Sequence, residues 1–335
     1  MSERTFALVG SETLLGREIR DLAGSERPAI DLRLIAADDE QPGRLTRVGG
    51  EPSIVNELTA ESLADARGVF LAGSAEASRK ALELLDANAE TPVVDLTFAA
   101  EERPDARLRA PMVESEAEEE EREGRVAVIA HPAAIALAMF LRRLHAHDPI
   151  RRSVVSLFAP ASEHGARGIE ELQQQTVSLL SFKSMARAVF DAQLSFNLLA
   201  RYGEGAPAAL EETELRIERH LATLLAFPGD GEGAPLPSLR LIQAPVFHGY
   251  SISAWVEFEG NPGVEAIESA LVESRIEVRG ADVEPPSNVG QAGQSGIAVG
   301  AIVPDRNERE ACWFWLVADN LRLAAENALM VAEEW

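Results

Sequence analysis

The sequence predicts two α/β units, a doubly wound parallel sheet followed by an α+β unit, and three observations carry this. Short β-rich runs alternate with helical runs through about the first 150 residues, the pattern that right-handed crossovers between parallel strands produce. Beyond that point the strands lengthen and the helices fall to one side, which leaves an open sheet face in need of a cover. A length of 335 residues suits about two domains. A hydrophobic content of 46% beside 26% charged residues suits a globular chain with a large core.

In chain order, TFALVG (5–10) reads as a buried strand and is followed by a helical pattern through Leu22. LRLIAA (32–37), GVFLAG (68–73), TPVVDL (91–96) and RVAVIA (125–130) read as further strands, with AEASRKALELLDAN (75–88) as a helix between two of them. At VIAHPAAIALAMFL (128–141) a strand stops at His131-Pro132 and a helix of small residues begins at once. Many α/β enzymes place a nucleophile at such a junction, yet Ala133, Ala134, Ile135 and Ala136 carry no reactive group. In the second half SVVSLFA (153–159) is a strand and GARGIEELQQQTVSLL (165–180) a helix. A strand pair is expected within 239–260, a helix at 263–275, and strands at 297–303 and 312–318. FPGDGEGAPLPS (227–238) is a Gly/Pro-rich loop, and the last fifteen residues, free of glycine and proline, are helical.

Composition narrows the function classes. A net charge of −24 would repel phosphate backbones, so nucleic acid is excluded as a partner. The acidic run from Glu114 to Arg125 reads as a solvated segment without chemistry. No apolar run approaches the roughly 18 residues that span a bilayer, so no membrane partner is expected. The start MSERTFALVG is charged where a signal peptide would be apolar, and with one cysteine, Cys312, no intrachain disulfide can form. A cytoplasmic location is expected, and no metal site.

VGSETLLG follows the first strand and opens the first helix, the context of a dinucleotide-binding loop. Gly10 and Gly16 are correctly spaced, but the middle position is Thr13, whose side chain narrows the approach. After the second strand, Asp38, Asp39 and Glu40 would repel a 2′-phosphate. Any binding of NAD or NADP is therefore expected to be weak, with NAD the easier to accept.

The ordered segments VG-x5-G, FLAGSAEASRK, VVDLTFA, VIAHPAA, VVSLFAPASEHGARGIEEL, SFNLLA, APVFHGYS and VADNLRLAAENA together resemble the aspartate-semialdehyde dehydrogenase family over nearly the whole chain. The resemblance is closest to its Usg-type branch. It implies a Rossmann-type NAD(P)-binding domain at 1–131 plus 318–335. At 132–317 it implies a glyceraldehyde-3-phosphate dehydrogenase-like α+β domain that carries catalysis and dimerises through its sheet. The family reaction, part of amino-acid biosynthesis, reduces aspartyl phosphate to aspartate semialdehyde with NADPH, through a thioester on cysteine and a histidine acid–base partner.

Carried over position by position, the resemblance finds this chemistry missing. The A-N-P-N-C-S-T motif falls on residues 130–136, which puts Ala134 at the thiol position. The histidine position is Tyr250, and an ordinary tyrosine titrates near 10, far from a neutral-pH acid–base role. Ala159 stands for a glutamine, Glu101 for an arginine, Glu214 for a lysine and Gln243 for an arginine, while Glu211 is retained. Two inversions and one neutralisation thereby take about five units of positive charge from an anion site, each pair at ~4 Å being worth roughly 4 kcal/mol at an effective dielectric of 20. On the cofactor side the resemblance points to Gly10, Thr13, Gly16, Ser162, Gly165 and Asn320, with Glu163 and His164 intruding where pyrophosphate would approach.

Three readings compete. A catalytically silent homologue, or pseudoenzyme, would be a homodimer kept for an unknown protein or small-molecule ligand. Trp255, Phe258, Trp313 and Trp315 are expected on the sheet, some of them between subunits. A repurposed enzyme would use His131, His164 and His248 as zinc ligands or acid–base groups, with His248 and Tyr250 on one strand face. An active NAD(P)-dependent oxidoreductase would act on some other substrate. His145 and His147 face apart on a helix, and Cys312 reads as a buried structural residue.

Overall fold

The computed structural model describes residues 5–27, 30–37, 40–86, 90–114, 124–226 and 233–335. Most of the acidic run, the glycine-rich part of the 227–238 loop, and Asp38 and Asp39 lie outside them. The chain divides into two compact units, Met1–Ala130 with Ala324–Trp335, and His131–Leu323.

In the first unit the elements are β1 (Thr5–Val9), α1 (Leu14–Ser25), β2 (Asp31–Ile35), β3 (Leu45–Val48), β4 (Glu51–Ile54), α2 (Ala60–Leu63), β5 (Gly68–Leu71), α3 (Ala75–Asp86), β6 (Val93–Asp95), β7 (Ala106–Arg109) and β8 (Val126–Ile129). Six strands form a parallel sheet in the order β2-β1-β5-β6-β8-β7. Their apolar runs are buried because crossover helices pack on the sheet, and Val9, Ile35, Leu71, Val93 and Val128 share one core with Leu82 and Leu85 of α3. The strand order reverses between β1 and β5, the switch point at which open α/β sheets bind ligands. The polar β3–β4 ribbon, α2 and β7 were not expected from the sequence; they are short and mostly surface-facing, so burial leaves little pattern in them.

The second unit contains α4 (Pro132–His147), β9 (Ile150–Ala159), a 3₁₀ turn at Ala161–His164, α5 (Gly165–Leu180), α6 (Leu210–Ala226), β10 (Ser238–Gln243), β11 (Tyr250–Phe258), α7 (Val264–Leu271), β12 (Ile276–Arg279), α8 (Asn288–Gln291), β13 (Ile297–Pro304) and β14 (Ala311–Ala318). The final helix α9 runs over Asn320–Glu334. The sheet order is β10-β9-β11-β14-β13-β12. The strand pair expected within 239–260 does not form: β10 and β11 are both present, but β9 lies between them. β10 runs parallel to β9 and β11 antiparallel to it. The linker Ala244–Gly249 is a bent segment rather than a tight hairpin turn, and ten-residue β9 pairs along both of its edges.

Alternation sorts the sheet faces. Even-numbered Ile252, Ala254, Val256 and Phe258 of β11 and Phe314 of β14 are buried, and the Phe314 ring packs against Phe140 of α4. Phe258 is therefore a core residue, not part of the open face as expected. The other face carries a cross-strand row, Val154–Trp255–Trp313–Val303, with Val154, Val303 and Trp313 exposed. Both indole N–H groups of Trp255 and Trp313 donate to Asp305 Oδ2, at 3.1 and 2.7 Å. Trp315 donates to the Pro286 carbonyl and is half-buried.

Candidate functional site

In the first unit the loop after β1 is shaped by glycine but filled by its own side chains. Gly10 has φ +84°, and a Cβ there would lie 2.4 Å from the Gly73 amide nitrogen, so only glycine lets the loops after β1 and β5 meet. A Cβ at Gly16 would meet the Gly10 carbonyl oxygen at 2.0 Å. Thr13 is the N-cap of α1, its Oγ1 accepting from the Gly16 amide at 2.9 Å. The Glu12 amide, a donor that a phosphate would need, donates instead to Glu40 Oε1 at 2.9 Å, and the Ala37 amide donates to Glu40 Oε2 at 3.1 Å. Burial pushes the Glu40 carboxyl up, against these bonds. The Glu12 carboxylate pairs with Arg20, Arg17 and Arg44. Beside this loop a cleft of about 360 Å³ is bounded by Ala37, Glu40, Glu57, Glu76 and Lys80.

In the second unit three elements converge on one carboxylate. His131 caps α4, its Nδ1 accepting from the Ala133 amide at 3.2 Å, so the ring presents Nε2–H to Glu163 Oε1 at 2.9 Å. Glu163 comes from the 3₁₀ turn after β9, and Tyr250, the first residue of β11, donates its hydroxyl to Glu163 Oε2 at 2.7 Å. The His131 amide donates to Nδ1 of His220 on α6. A second chain runs alongside. The Tyr202 hydroxyl donates to Gln243 Oε1 at 2.7 Å, so His164 Nε2 donates to the Tyr202 oxygen at 2.8 Å. Gln243 Nε2 ends the chain on the carbonyls of Ala159 and Ala244.

The donors in these chains are committed to named acceptors, and Glu163, His164, Tyr202 and Tyr250 are each shifted away from neutrality. Burial and the adjacent Glu163 push the Tyr250 phenol well above its ordinary range, and burial does the same to Tyr202. Burial lowers His164. Burial alone would raise Glu163, but its pairing with His131 and the hydrogen bond from Tyr250 outweigh it and hold the carboxyl at about 2. A carboxyl that weak is a poor general base at pH ~7.

A pH dependence follows. The folded value of Glu163 lies below its ordinary 4.5, so the stabilisation is fully present above that value and is lost as pH falls toward about 2. Thermal melts should show stability declining over that window, and Glu163→Gln should flatten the decline. Equal slopes in the two proteins would show that Glu163 is not the group responsible.

The chain matches the family described as semialdehyde dehydrogenase, dimerisation domain, over residues 141–323. The chain belongs to the semialdehyde dehydrogenase family. It is similar to the aspartate-semialdehyde dehydrogenase of Prochlorococcus marinus, with 28% identity over 337 residues covering 98% of this chain and 95% of that protein. It is equally similar to a USG-1 protein homolog of Pseudomonas aeruginosa, with 29% identity over 98% of this chain and 96% of the other. Among solved structures, a probable aspartate-semialdehyde dehydrogenase from Pseudomonas aeruginosa superposes with a TM-score of 0.82 at 28% identity, covering 98% of this chain and 97% of that one. The family and the Usg-type branch inferred from the sequence, and the Rossmann-like plus mixed-sheet fold, are thereby shown.

Within this family member the positions picked out by resemblance are placed as follows. Ala134 has no exposed surface and lies in the first turn of α4. Ala159 and Gln243 are buried, and Gln243 holds the β9–β10 edge as described. Glu214 accepts from the Leu241 amide at 2.6 Å and from Arg240, so it secures β10 to α6. With Glu211 and Tyr202 it borders a cleft of about 470 Å³. Glu101 sits in the turn after β6, where buried Asp95 accepts from Thr97 and Ala100. Ser162 and the Gly249 amide both approach Asn320 Oδ1, at 3.2 and 3.1 Å. Gly165 has φ +62° and ends the 3₁₀ turn. Cys312 is buried in β14, where burial raises its thiol.

The trio of histidines is not assembled. His131 is committed to Glu163 and His164 to Tyr202, while His248 lies in the bend before β11 and not on the strand. The positive φ of Gly249 turns the chain between His248 and Tyr250, which removes the expected shared face. Among the described residues, no three His, Cys, Asp or Glu side chains are grouped to hold a metal ion. Sequence reading missed His220 and the Glu12–Glu40 contact. Both depend on a backbone amide meeting a side chain distant in sequence, and no local pattern signals that.

Proposed function

We propose that this chain is a catalytically silent member of its family, a homodimer retained for binding or assembly. The observation that carries the reading is the alanine at the nucleophile position, Ala134, fully buried at the mouth of a helix whose cap, His131, is committed to Glu163. Covalent catalysis needs a thiol or hydroxyl with a base to activate it, and neither is present there. The two nearby proton chains end on a weak base and on backbone carbonyls.

The loop after β1 fits a pyrophosphate poorly, because Glu40 already takes an amide donor and Glu12 adds a carboxylate. No step is assigned to a cofactor. Binding of NADP is expected to be weaker than about 100 μM, which is roughly −5.5 kcal/mol, with NAD less disfavoured. Titration calorimetry measures this directly, and a micromolar NADP constant would overturn the reading of the loop.

The exposed row Val154–Trp255–Trp313–Val303 supports the homodimer, since exposed apolar rows on a sheet face mark interfaces. Light scattering should give twice the protomer mass at micromolar concentration. A monomer mass would count against the assembly. A repurposed acid–base or zinc site is not favoured by any contact of the three histidines.

A further inference from the structure

We propose that Arg17, Arg20 and Arg44 form a binding site for a phosphoryl group, and that the Glu12 side chain occupies this site in cis and holds it shut. The site deepens the reading of the loop after β1, where the same carboxylate opposes a pyrophosphate, and it is independent of the loss of catalysis. It is built from arginine side chains, not from the glycine amides of the loop.

Three arginines from two parts of the first unit meet one carboxylate. Arg17 and Arg20 stand three apart on α1 and so share a helix face. Arg44 lies just before β3, and its carbonyl accepts from the Val55 amide at 2.9 Å, which ties it to the residue after β4. Arg20 Nη1 donates to Glu12 Oε1, while Arg17 Nη2 and Arg44 Nη1 stand 3.5 and 3.7 Å from Glu12 Oε2. Arg20 Nη1 also donates to Thr46 Oγ1 of β3 at 3.2 Å.

The cluster offers more than Glu12 uses. With Glu40, which accepts from the Glu12 amide, it sets three positive charges against two negative ones in a chain whose net charge is −24. The Arg20 side chain is only 9% exposed, yet its Nε–H has no hydrogen-bond partner. A buried guanidinium donor without an acceptor destabilises the fold, and the two oxygens of a carboxylate have not satisfied it. A phosphoryl group brings three acceptor oxygens, and arginine binds it through paired N–H bonds. Arg17 and Arg44 are half exposed or more, so the arginines open to solvent on their side, whereas the Glu12 side chain is 10% exposed. An entering anion therefore reaches the arginines and displaces Glu12.

The test is titration calorimetry with inorganic phosphate at low ionic strength, on the full chain and its variants. Glu12→Ala should bind phosphate at least about 10-fold more tightly than the native chain, because a competing carboxylate has been taken from the arginines. That binding should weaken as salt rises. Adding Arg20→Met to Glu12→Ala should abolish the gain. If that variant fails to fold, Arg44→Gln replaces an exposed side chain and should reduce the gain in the same way. Phenyl phosphate is titrated beside inorganic phosphate: binding of both supports a site for phosphorylated molecules, and binding of inorganic phosphate alone supports a site for the free ion. A phosphate constant in Glu12→Ala equal to the native one would overturn the cis occupation. A gain that survives the loss of Arg20 and of Arg44 would overturn the site. Either failure leaves catalytic silence standing, since that is read from turnover and not from phosphate binding.

Discussion

The double variant Ala134→Cys with Tyr250→His is expected to stay inactive, with no NADPH formed from aspartate semialdehyde, NADP and phosphate. The new thiol would replace a side chain with no exposed surface, in the first turn of the helix that His131 caps. Burial in apolar surroundings keeps a thiol protonated, and the thiol form is not the nucleophile. Substrate-binding charge would also still be missing at Glu101, Glu214 and Gln243, and the glutamine amide at Ala159. Restoring arginine, lysine, arginine and glutamine at those four positions is the minimum expected from the sequence, and the structure adds Glu163→Gly to release the His131 ring from its carboxylate partner. Groups that work as a unit return little when restored one or two at a time. An initial-rate assay across this series should stay at background until the last step, and turnover by the double variant would refute the electrostatic part of the account.

Replacing Arg109 by alanine should cost about 3–5 kcal/mol of stability, the usual penalty for breaking a buried pair from one side. Its Nε donates to Glu114 at 3.0 Å, and Nη2 reaches Glu114 and Glu334 at 2.9 Å. The side chains of Arg109 and Glu114 are only 4% and 3% exposed, so the variant would take the arginine charge from a buried carboxylate that keeps its bond to the Ala110 amide. This pair fastens the end of α9 to β7, together with the bond from the Met112 amide to Asn327. Urea unfolding gives the number. Arg109→Met combined with Glu114→Leu should recover much of the loss, since an apolar replacement of both partners leaves no orphaned charge. A single variant within ~0.5 kcal/mol of the native protein would show that the pair is not a structural anchor.

Much of the fold was legible because burial writes its period into the sequence. TFALV, GVFL and VAVI are unbroken apolar runs that only a covered parallel strand explains, and GARGIEELQQQTVSLL forms a helix over the bounds read from it. The neighbour relations were less legible. Nothing in LRLIQ or YSISAWVEF says that β9, some eighty residues earlier, runs between them, because pairing is a tertiary choice. Strand parity moved Phe258 from the open face to the core, and the turn at Gly249 separated His248 from Tyr250.

The site was legible as a set of substitutions, not as an arrangement. The position of Ala134 follows from the motif that carries the resemblance. That Glu163 accepts from both His131 and Tyr250 does not follow, because three segments must first fold together. The same holds for Glu40, whose carboxylate bonds the Glu12 and Ala37 amides. A run of acids after β2 suggests repulsion, but a carboxylate occupying a loop amide is a stronger obstacle and is visible only in three dimensions.

The central claim is that this chain has kept the fold and lost the reaction. Absorbance at 340 nm tests it most directly, with the native protein at tens of micromolar, aspartate semialdehyde, phosphate and NADP, followed for hours beside an active family enzyme. The account predicts a rate indistinguishable from buffer, including no first-turnover burst. A burst or a steady rate that scales with protein concentration would contradict it.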